Sequence, residues 1–354
     1  MTDTLSMQIK KVNQSRISEV DFDNIAFGKV YSDHMFMADY KDGEWTNLQV
    51  LPYEHLRLSP ANSAIHYGQS IFEGLKAYRS PENEILLFRP MDNWARLNRS
   101  AARMCMPEVP EEVFMSGLQE LLKLDNAWVP SKIGSSLYIR PFMFATDEYI
   151  GIRPSDTYKF MIFTCPVGSY YSEPVRVRIE TNYSRAYTGG TGFAKCAGNY
   201  AGALYPAKQA QKLGYHQLIW TDASSHQYIE ESGTMNVMFL INDTLITAPT
   251  GDTILDGITR KSVLTLAREW GVKVEERKVS ILEVVEAIKN GTLKEAFGTG
   301  TAATIAPIAL LNHDGVDYTL PAIETREFSN KILKTLNDIR YGIAPDTHNW
   351  ITKL

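Results

Sequence analysis

Apolar residues recur along this chain in two rhythms. Alternating or continuous apolar runs at Glu84–Phe88, Ser135–Ile139, Lys159–Cys165, Val175–Glu180, Gln217–Trp220, Asn236–Ile241 and Thr244–Ala248 predict strands. Helical spacing falls between them. Glu111–Leu124 places Phe114, Leu118, Leu121 and Leu122 on one face, and Ile258–Trp270 does the same with Val263, Leu266, Ala267 and Trp270. Ser280–Asn290 and Ala322–Arg340 are also amphipathic, the latter through Phe328, Ile332, Leu336 and Ile339. The mixture predicts an α/β (mixed α+β) chain without internal repeats. Pro166-Val167-Gly168-Ser169-Tyr170-Tyr171-Ser172-Glu173-Pro174, dense in turn formers between two strands, reads as a linker. It divides residues 1–170 from residues 175–354.

Composition narrows the class. The chain has 354 residues, 44% hydrophobic and 22% charged, with a net charge of -5, so it can bury a large core and carries no basic footprint for nucleic acid. Asp3, Glu19, Asp21 and Asp23, with no apolar stretch among them, fit neither a secretory signal nor a transit peptide, and no run reaches membrane-spanning length. Three widely spaced cysteines, Cys105, Cys165 and Cys196, argue against a disulfide framework. A reducing, cytoplasmic location is expected.

The chemistry gathers around one lysine. Lys195 stands in Gly189-Gly190-Thr191-Gly192-Phe193-Ala194-Lys195-Cys196-Ala197-Gly198-Asn199-Tyr200, and Glu231-Ser232-Gly233-Thr234-Met235-Asn236 follows downstream. A lysine among small residues, with a tyrosine five positions on and a carboxylate beyond, suits a pyridoxal 5'-phosphate (PLP) enzyme, which needs an amine for the Schiff base and an acid for the pyridinium nitrogen. A free lysine, with a pKa of about 10.4, is mostly ammonium at neutral pH, so small apolar neighbours that disfavour the charge are apt. Spacing alone leaves both Glu230 and Glu231 open as the ring-nitrogen acid. Asp256-Gly257-Ile258-Thr259 opens a predicted helix, which puts the amides of Ile258 and Thr259 where an anion such as phosphate is favoured. Gly298-Thr299-Gly300-Thr301-Ala302-Ala303 fits G-x-G-x-x-A, but no βαβ unit with an acidic residue ~20 positions on accompanies it, so a dinucleotide site is rejected. Neither a Walker A motif nor zinc-ligand spacing occurs, and no metal is expected. His66, in His66-Tyr67-Gly68-Gln69, is expected to be structural.

Together with Phe27-Gly28-Lys29, Asp33-His34-Met35, His66-Tyr67-Gly68-Gln69, Phe72-Glu73-Gly74-Leu75-Lys76, Tyr138-Ile139-Arg140-Pro141, Gly257-Ile258-Thr259-Arg260 and Phe297-Gly298-Thr299-Gly300-Thr301-Ala302-Ala303, the lysine and glutamate motifs resemble those of the branched-chain amino acid aminotransferases, a fold-type IV group of PLP enzymes. The resemblance spans most of the chain. It implies a smaller N-terminal α/β domain and a larger, barrel-like C-terminal domain with the cofactor between them. Lys195 would carry PLP and move the substrate Cα proton as base and then acid. Glu231, which begins the Glu-x-Gly-Thr-Met-Asn pattern, would meet the ring nitrogen, and Glu230 would be solvated. Tyr200 would bond the phenolate oxygen. Arg96, in Trp94-Ala95-Arg96-Leu97-Asn98-Arg99, would hold the phosphate with Ile258, Thr259 and Thr301, while the Thr301 and Ala302 amides would take the substrate α-carboxylate.

The same resemblance implies an apolar pocket of Phe27, Phe72, Tyr170 and Thr234, with Tyr138 nearby and Tyr67 entering from a partner subunit of a homodimer. Arg140 would pair the distal carboxylate of glutamate or 2-oxoglutarate. The implied activity is ping-pong amino-group exchange between L-leucine, L-isoleucine or L-valine and 2-oxoglutarate, with neither nucleic acid nor membrane as partner. Three rival functions share the cofactor: a D-amino acid transaminase, an aminodeoxychorismate lyase of the same fold and a non-enzymatic PLP-binding protein. The chain departs from related patterns at two places. No histidine lies between His66 and His216, so the Arg-x-His trap typical of D-amino acid transaminases is missing, and Ala303 and Ala306 stand where some members have a Cys-x-x-Cys redox pair.

Overall fold

Residues 6–168 and 173–354 are described by a computed structural model. They form two units. One is the described part of Met1–Tyr170 with Ala194–Ala197 and Asp338–Leu354; the other is the described part of Tyr171–Phe193 with Gly198–Asn337.

In the first unit the alternating apolar segments pair mostly antiparallel into a nine-stranded sheet. It runs Gln8–Ile9, Glu44–Pro52, His34–Lys41, Tyr158–Val167, Ser136–Ala145, Leu75–Arg79, Ile85–Phe88 and Ile351–Lys353, with Ser70–Phe72 also on Ser136–Ala145. Glu111–Leu124 forms the predicted helix and buries Val113, Phe114, Leu118, Leu121 and Leu122 in a core shared with Phe36, Val50 and Phe160. The strand predicted to stop at Ile139 continues to Ala145 through Pro141. Pro141 is tolerated because it lies opposite a break: Phe72 pairs with Phe142 and Leu75 with Ile139, so Glu73 and Gly74 leave the ladder there, and the Glu73 N–H donates to the Pro141 carbonyl at 2.7 Å. A Cβ at Gly74 would fall 2.2 Å from the Tyr138 hydroxyl, so this close approach requires glycine.

The helix Pro90–Arg103 escapes the hydrophobic pattern. It starts with proline at its first position, where the lost N–H costs nothing. Its buried face is Asn93, Arg96, Leu97, Ser100 and Ala101, a regular helical spacing occupied largely by polar side chains.

The second unit is a ten-stranded sheet that closes on itself. Met235–Ile241, Leu293–Gly300, Thr304–His313, Val175–Ile179, Gln217–Thr221 and Tyr228–Ser232 follow one another, and the last pairs back with the first, giving the expected barrel-like sheet. Val175, Val177, Ile219, Val237, Phe239 and Ile308 fill its core with Val284 and Val285 of the helix Ile281–Lys289. The amphipathic Ala322–Arg340 stretch divides into a short turn, Ile323–Thr325, and the helix Glu327–Arg340. Between them the buried Arg326 guanidinium donates to the carbonyls of Ala296, Ile308 and Pro321. Among the described residues, no helix is long and apolar enough to cross a membrane.

Candidate active site

In the first unit the break at Glu73-Gly74 becomes a functional corner. Lys195 is fixed there by its main chain: its carbonyl accepts the Phe72 N–H at 3.0 Å and its N–H donates to Ser100 Oγ at 2.9 Å. Its Nζ lies 4.9 Å from the centre of the Phe72 ring. The Arg140 guanidinium lies 4.7 Å from the same ring and 5.3 Å from that of Tyr138, and its Nη2 donates to the Tyr138 hydroxyl at 3.0 Å. Phe27 meets Tyr138 edge-on, with centroids 5.1 Å apart. Phe27, Phe72, Tyr138, Arg140 and Lys195, five residues expected from the sequence, therefore form one continuous wall.

Arg96 joins this wall through a residue to which the sequence motifs assign no role. Its Nε and Nη2 donate to the two oxygens of Glu73 at 2.7 and 2.8 Å, and the same carboxylate accepts Asn93 Nδ2 at 2.7 Å and the Gly74 N–H at 3.1 Å. Glu73 is wholly buried. Burial opposes its ionisation, but Arg96, with help from Lys195 and Asn93, holds its carboxyl below the usual glutamate range. The signal for Glu73 was available as an acid in the otherwise apolar run Ile71-Phe72-Glu73-Gly74-Leu75.

The second unit groups the remaining cofactor candidates. Glu231 pairs across the sheet with Asn236, and Asn236 with Thr299, so three polar residues form a row on adjacent strands. Glu231 is buried, accepts Asn236 Nδ2 at 3.0 Å and the Leu255 N–H at 3.1 Å, and is ion-paired with Arg185. Arg185 is anchored in turn on the carbonyls of Gly192 and Thr253. Asn236 also donates to the Leu255 carbonyl, and a Cβ at Gly257 would lie 1.9 Å from its Oδ1. That contact ties Glu231 to the start of the helix Ile258–Glu269, whose first residues Ile258 and Thr259 are buried. Thr301 and Ala302 lie in the turn between Leu293–Gly300 and Thr304–His313, next to Thr299. Tyr200, on the helix Ala197–Lys212, shares with Glu231, Thr234, Arg185 and Asn199 a cavity of ≈ 710 Å³ including its open mouth. Arg185 and Asn236 went unassigned in the sequence because each acts by supporting Glu231.

The two adjacent glutamates differ in surroundings. Glu230 faces away from this row, accepts the Thr253 hydroxyl at 2.6 Å, and is pushed above its ordinary pKa by burial, so it is only partly solvated where a solvated strand-end carboxylate was expected. Arg140 Nε and Thr299 Oγ1 are among the seven buried side-chain polar atoms with no hydrogen-bond partner among the described residues. His66 bonds the Pro60 carbonyl at 2.7 Å, a structural contact. Tyr67 is exposed on the short helix Ser63–Tyr67, apart from the wall, and Tyr170 lies outside the described residues. Among the described residues no group of side chains could hold a metal ion.

An acylation or hydride-transfer centre needs other parts. An amine, a ring-facing carboxylate, an arginine held by a carboxylate and a helix N-terminus are the parts of a PLP site. Residues 70–311 match the model of the amino-transferase class IV family. The branched-chain-amino-acid aminotransferase 2 of Bacillus subtilis (strain 168) is 44% identical over 338 residues, 94% of this chain and 93% of that protein. A probable branched-chain-amino-acid aminotransferase of Staphylococcus epidermidis is 41% identical over 352 residues, 98% of each chain. Among solved structures, the branched-chain aminotransferase of Thermoproteus uzoniensis with norvaline superposes with a TM-score of 0.74 at 27% identity, covering 90% of this chain and 99% of that one. The chain belongs to the class IV aminotransferases, which are PLP-dependent transaminases of fold-type IV.

Proposed function

We infer that this transaminase exchanges amino groups between L-leucine, L-isoleucine or L-valine and 2-oxoglutarate, with PLP as its cofactor. The wall of Phe27, Tyr138, Phe72 and Arg140 beside Lys195 carries the reading, because it offers one pocket both an apolar surface and a cation. The residues present fit the cofactor: the donor set has the right chemistry, and the partnerless buried Arg140 Nε and Thr299 Oγ1 are groups of the kind a bound ligand satisfies.

When bound, PLP supplies an electron sink that stabilises negative charge at the substrate Cα. Lys195 would hold the cofactor, and its free amine would move the Cα proton as base and then acid. Glu231, oriented by Arg185, Asn236 and the Leu255 amide, would hold a proton at the ring nitrogen. Arg96, aimed by Glu73, and, at their helix start, the amides of Ile258 and Thr259, together with the Thr301 hydroxyl, are the groups that would bind the phosphate. Tyr200 bonds the phenolate oxygen. The amides of Thr301 and Ala302 would orient the substrate α-carboxylate, and Phe27, Phe72, Thr234 and, outside the described residues, Tyr170 are the candidates for its side chain. Arg140 receives the distal carboxylate of glutamate, a charge-assisted bond that leucine does not need. One methylene is worth about 1–3 kcal/mol, so discrimination among the three branched substrates is shallow.

We also propose a homodimer in which Tyr67 completes the partner's pocket. Leu58, Ile65, Tyr67, Tyr149, Ile150 and Ile152 are all exposed, Ile152 to 94%. The Ser63 N–H bond to the Asp147 carbonyl and the Asn62–Glu148 bridge bring their two segments together, making an apolar patch of the kind that marks an interface. The three free cysteines support a cytoplasmic location. The test is formation of glutamate and the branched oxo acid from L-leucine and 2-oxoglutarate in equal amounts, with the parallel reciprocal plots of ping-pong kinetics. Turnover of D-leucine or aminodeoxychorismate in place of L-leucine would overturn the reading.

A further inference from the structure

Phe27 reaches the pocket on a segment that has little regular structure of its own. Between the strands Gln8–Ile9 and His34–Lys41 lies one short turn, Ile17–Glu19, and otherwise neither helix nor strand. Ordering so long a stretch costs conformational entropy at every residue, so its position depends on a few anchors.

Those anchors are buried side chains at the start of His34–Lys41. The Val12 N–H donates to His34 Nε2 at 2.9 Å, which makes Nε2 the unprotonated nitrogen and leaves Nδ1–H to donate to Asp125 Oδ1 at 2.6 Å. The other oxygen of Asp125 accepts the His34 main-chain N–H at 3.0 Å. Next in the chain, Asp33 accepts the Ser15 hydroxyl at 2.5 Å, the Arg16 N–H at 3.0 Å and Trp128 Nε1 at 2.8 Å. Asp33, His34 and Asp125 are each at most 4% exposed. Burial opposes ionisation of Asp33, but these hydrogen bonds hold its carboxyl below the usual range. Further along the segment, Tyr31 stacks on Tyr53 with centroids 4.9 Å apart and donates to the Gly28 carbonyl, which locks the backbone next to Phe27.

We propose that His34 and Asp33 are positioning residues of the substrate pocket: backed by Asp125 and Trp128, they clamp Val12, Ser15 and Arg16 and thereby hold Phe27 edge-on to Tyr138. The proposal rests on the reading of Phe27 and Tyr138 as pocket wall. The clamp acts on binding of the apolar side chain and leaves the proton transfers at Lys195 untouched.

The experiment compares PLP-loaded His34→Asn, His34→Gln and Ser15→Ala with wild type, with Phe27→Ala as reference, by steady-state kinetics and amide hydrogen exchange over residues 10–31. Asparagine keeps a donor near Asp125 and loses the acceptor for Val12, whereas glutamine reaches the Val12 N–H. Ser15→Ala removes a half-exposed contact and keeps the fold safe. A lost buried hydrogen bond predicts a rise in the leucine KM of about three- to tenfold for His34→Asn. A smaller rise follows for Ser15→Ala, with kcat within about twofold, faster exchange over 10–31 and partial rescue by His34→Gln. Unchanged exchange in both His34→Asn and Ser15→Ala would overturn the clamp. So would faster exchange with an unchanged KM while Phe27→Ala raises it. If Phe27→Ala itself leaves the leucine KM unaltered, the pocket reading fails, and the exchange data still decide whether the clamp holds the segment.

Discussion

Changing Glu73 to glutamine removes one charge at the point where strand, helix and lysine meet. The carboxylate accepts four hydrogen bonds, from Arg96 Nε, Arg96 Nη2, Asn93 Nδ2 and the Gly74 N–H. A glutamine offers one oxygen and a donating NH2 group. Its best orientation keeps the oxygen where Arg96 Nη2, Asn93 and Gly74 converge, which leaves the NH2 group facing Arg96 Nε–H and the guanidinium charge buried without its counterion. Breaking a buried pair from one side costs about 3–5 kcal/mol, a large share of the roughly 5–15 kcal/mol that keeps a domain folded. Urea unfolding followed by the fluorescence of the six tryptophans, at fixed PLP concentration because ligand binding adds stability, measures the loss.

The pH dependence of that loss carries its own sign. The carboxyl of Glu73 is held below its ordinary value in the folded chain, so its contribution is complete above the unfolded glutamate value of about 4.3 and fades as pH falls through the folded one. The difference between wild type and Glu73→Gln should therefore be largest near neutrality and shrink in acid. PLP affinity should fall as well, since Arg96 loses the partner that aims it. A loss below about 1 kcal/mol, the size of an exposed ion pair, with parallel pH curves for the two proteins, would refute the claim that Glu73 and Arg96 form one buried unit.

Borohydride reduction should fix PLP on Lys195; recovery on Lys76 or Lys208 in a peptide map would displace it from the centre of the site. Glu231→Gln should lower single-turnover rates by about 10²-fold or more, whereas Glu230→Gln, whose amide oxygen can still accept the Thr253 hydroxyl, should stay within a few-fold, and the reverse ranking would show that the other glutamate serves the ring nitrogen. Arg140→Ala should depress the glutamate half-reaction about 10- to 100-fold more than the leucine half-reaction, and equal damage to both would remove its dual role. Co-expression of Lys195→Ala with Tyr67→Ala should restore activity, because a heterodimer with Tyr67 acting in trans has one undamaged site; verified heterodimers without activity would place Tyr67 in its own subunit's pocket.

Apolar rhythm located the strands Ile85–Phe88, Gln217–Thr221 and Met235–Ile241 and the helices Glu111–Leu124, Ile258–Glu269 and Ile281–Lys289 to within about a turn, because each buries one continuous apolar face. It passed over His34–Lys41, Glu44–Pro52 and Leu293–Gly300. In Leu293–Gly300 the buried Glu295 interrupts the run, His34–Lys41 opens on a buried histidine and breaks at Asp39, and in Glu44–Pro52 Thr46, Asn47 and Gln49 dilute the apolar positions. Glu295 is buried for a reason outside its own strand, since it caps the helix Glu327–Arg340 through the N–H groups of Phe328 and Ser329. The helix Ala197–Lys212 was hidden differently: it buries only Asn199, Pro206 and Ala210 and has no apolar stripe to read.

The corner around Glu73 was hidden because polar side chains build it. A helix that packs by hydrophobic burial announces itself with leucines, but Pro90–Arg103 turns Asn93, Arg96 and Ser100 inward, and each bonds a polar group of the break at Glu73 or of Lys195. Three positions spaced three and four apart thus hold the acid that aims Arg96 and the main chain that presents the lysine. Motif resemblance can mark Arg96 and Lys195, since they would touch the cofactor, yet it is silent on Asn93, Ser100 and Glu73, whose importance lies in keeping the other two still. Buried polar groups persist only where their partners are complete, so a polar stripe at helical spacing beside a broken ladder is itself a signal of a site. On that argument Ser100→Ala, which removes no charge and little volume, should cost more in turnover than in stability, because the bond it deletes ends on the backbone of Lys195. A stability loss with unchanged kcat would show that Ser100 serves packing alone.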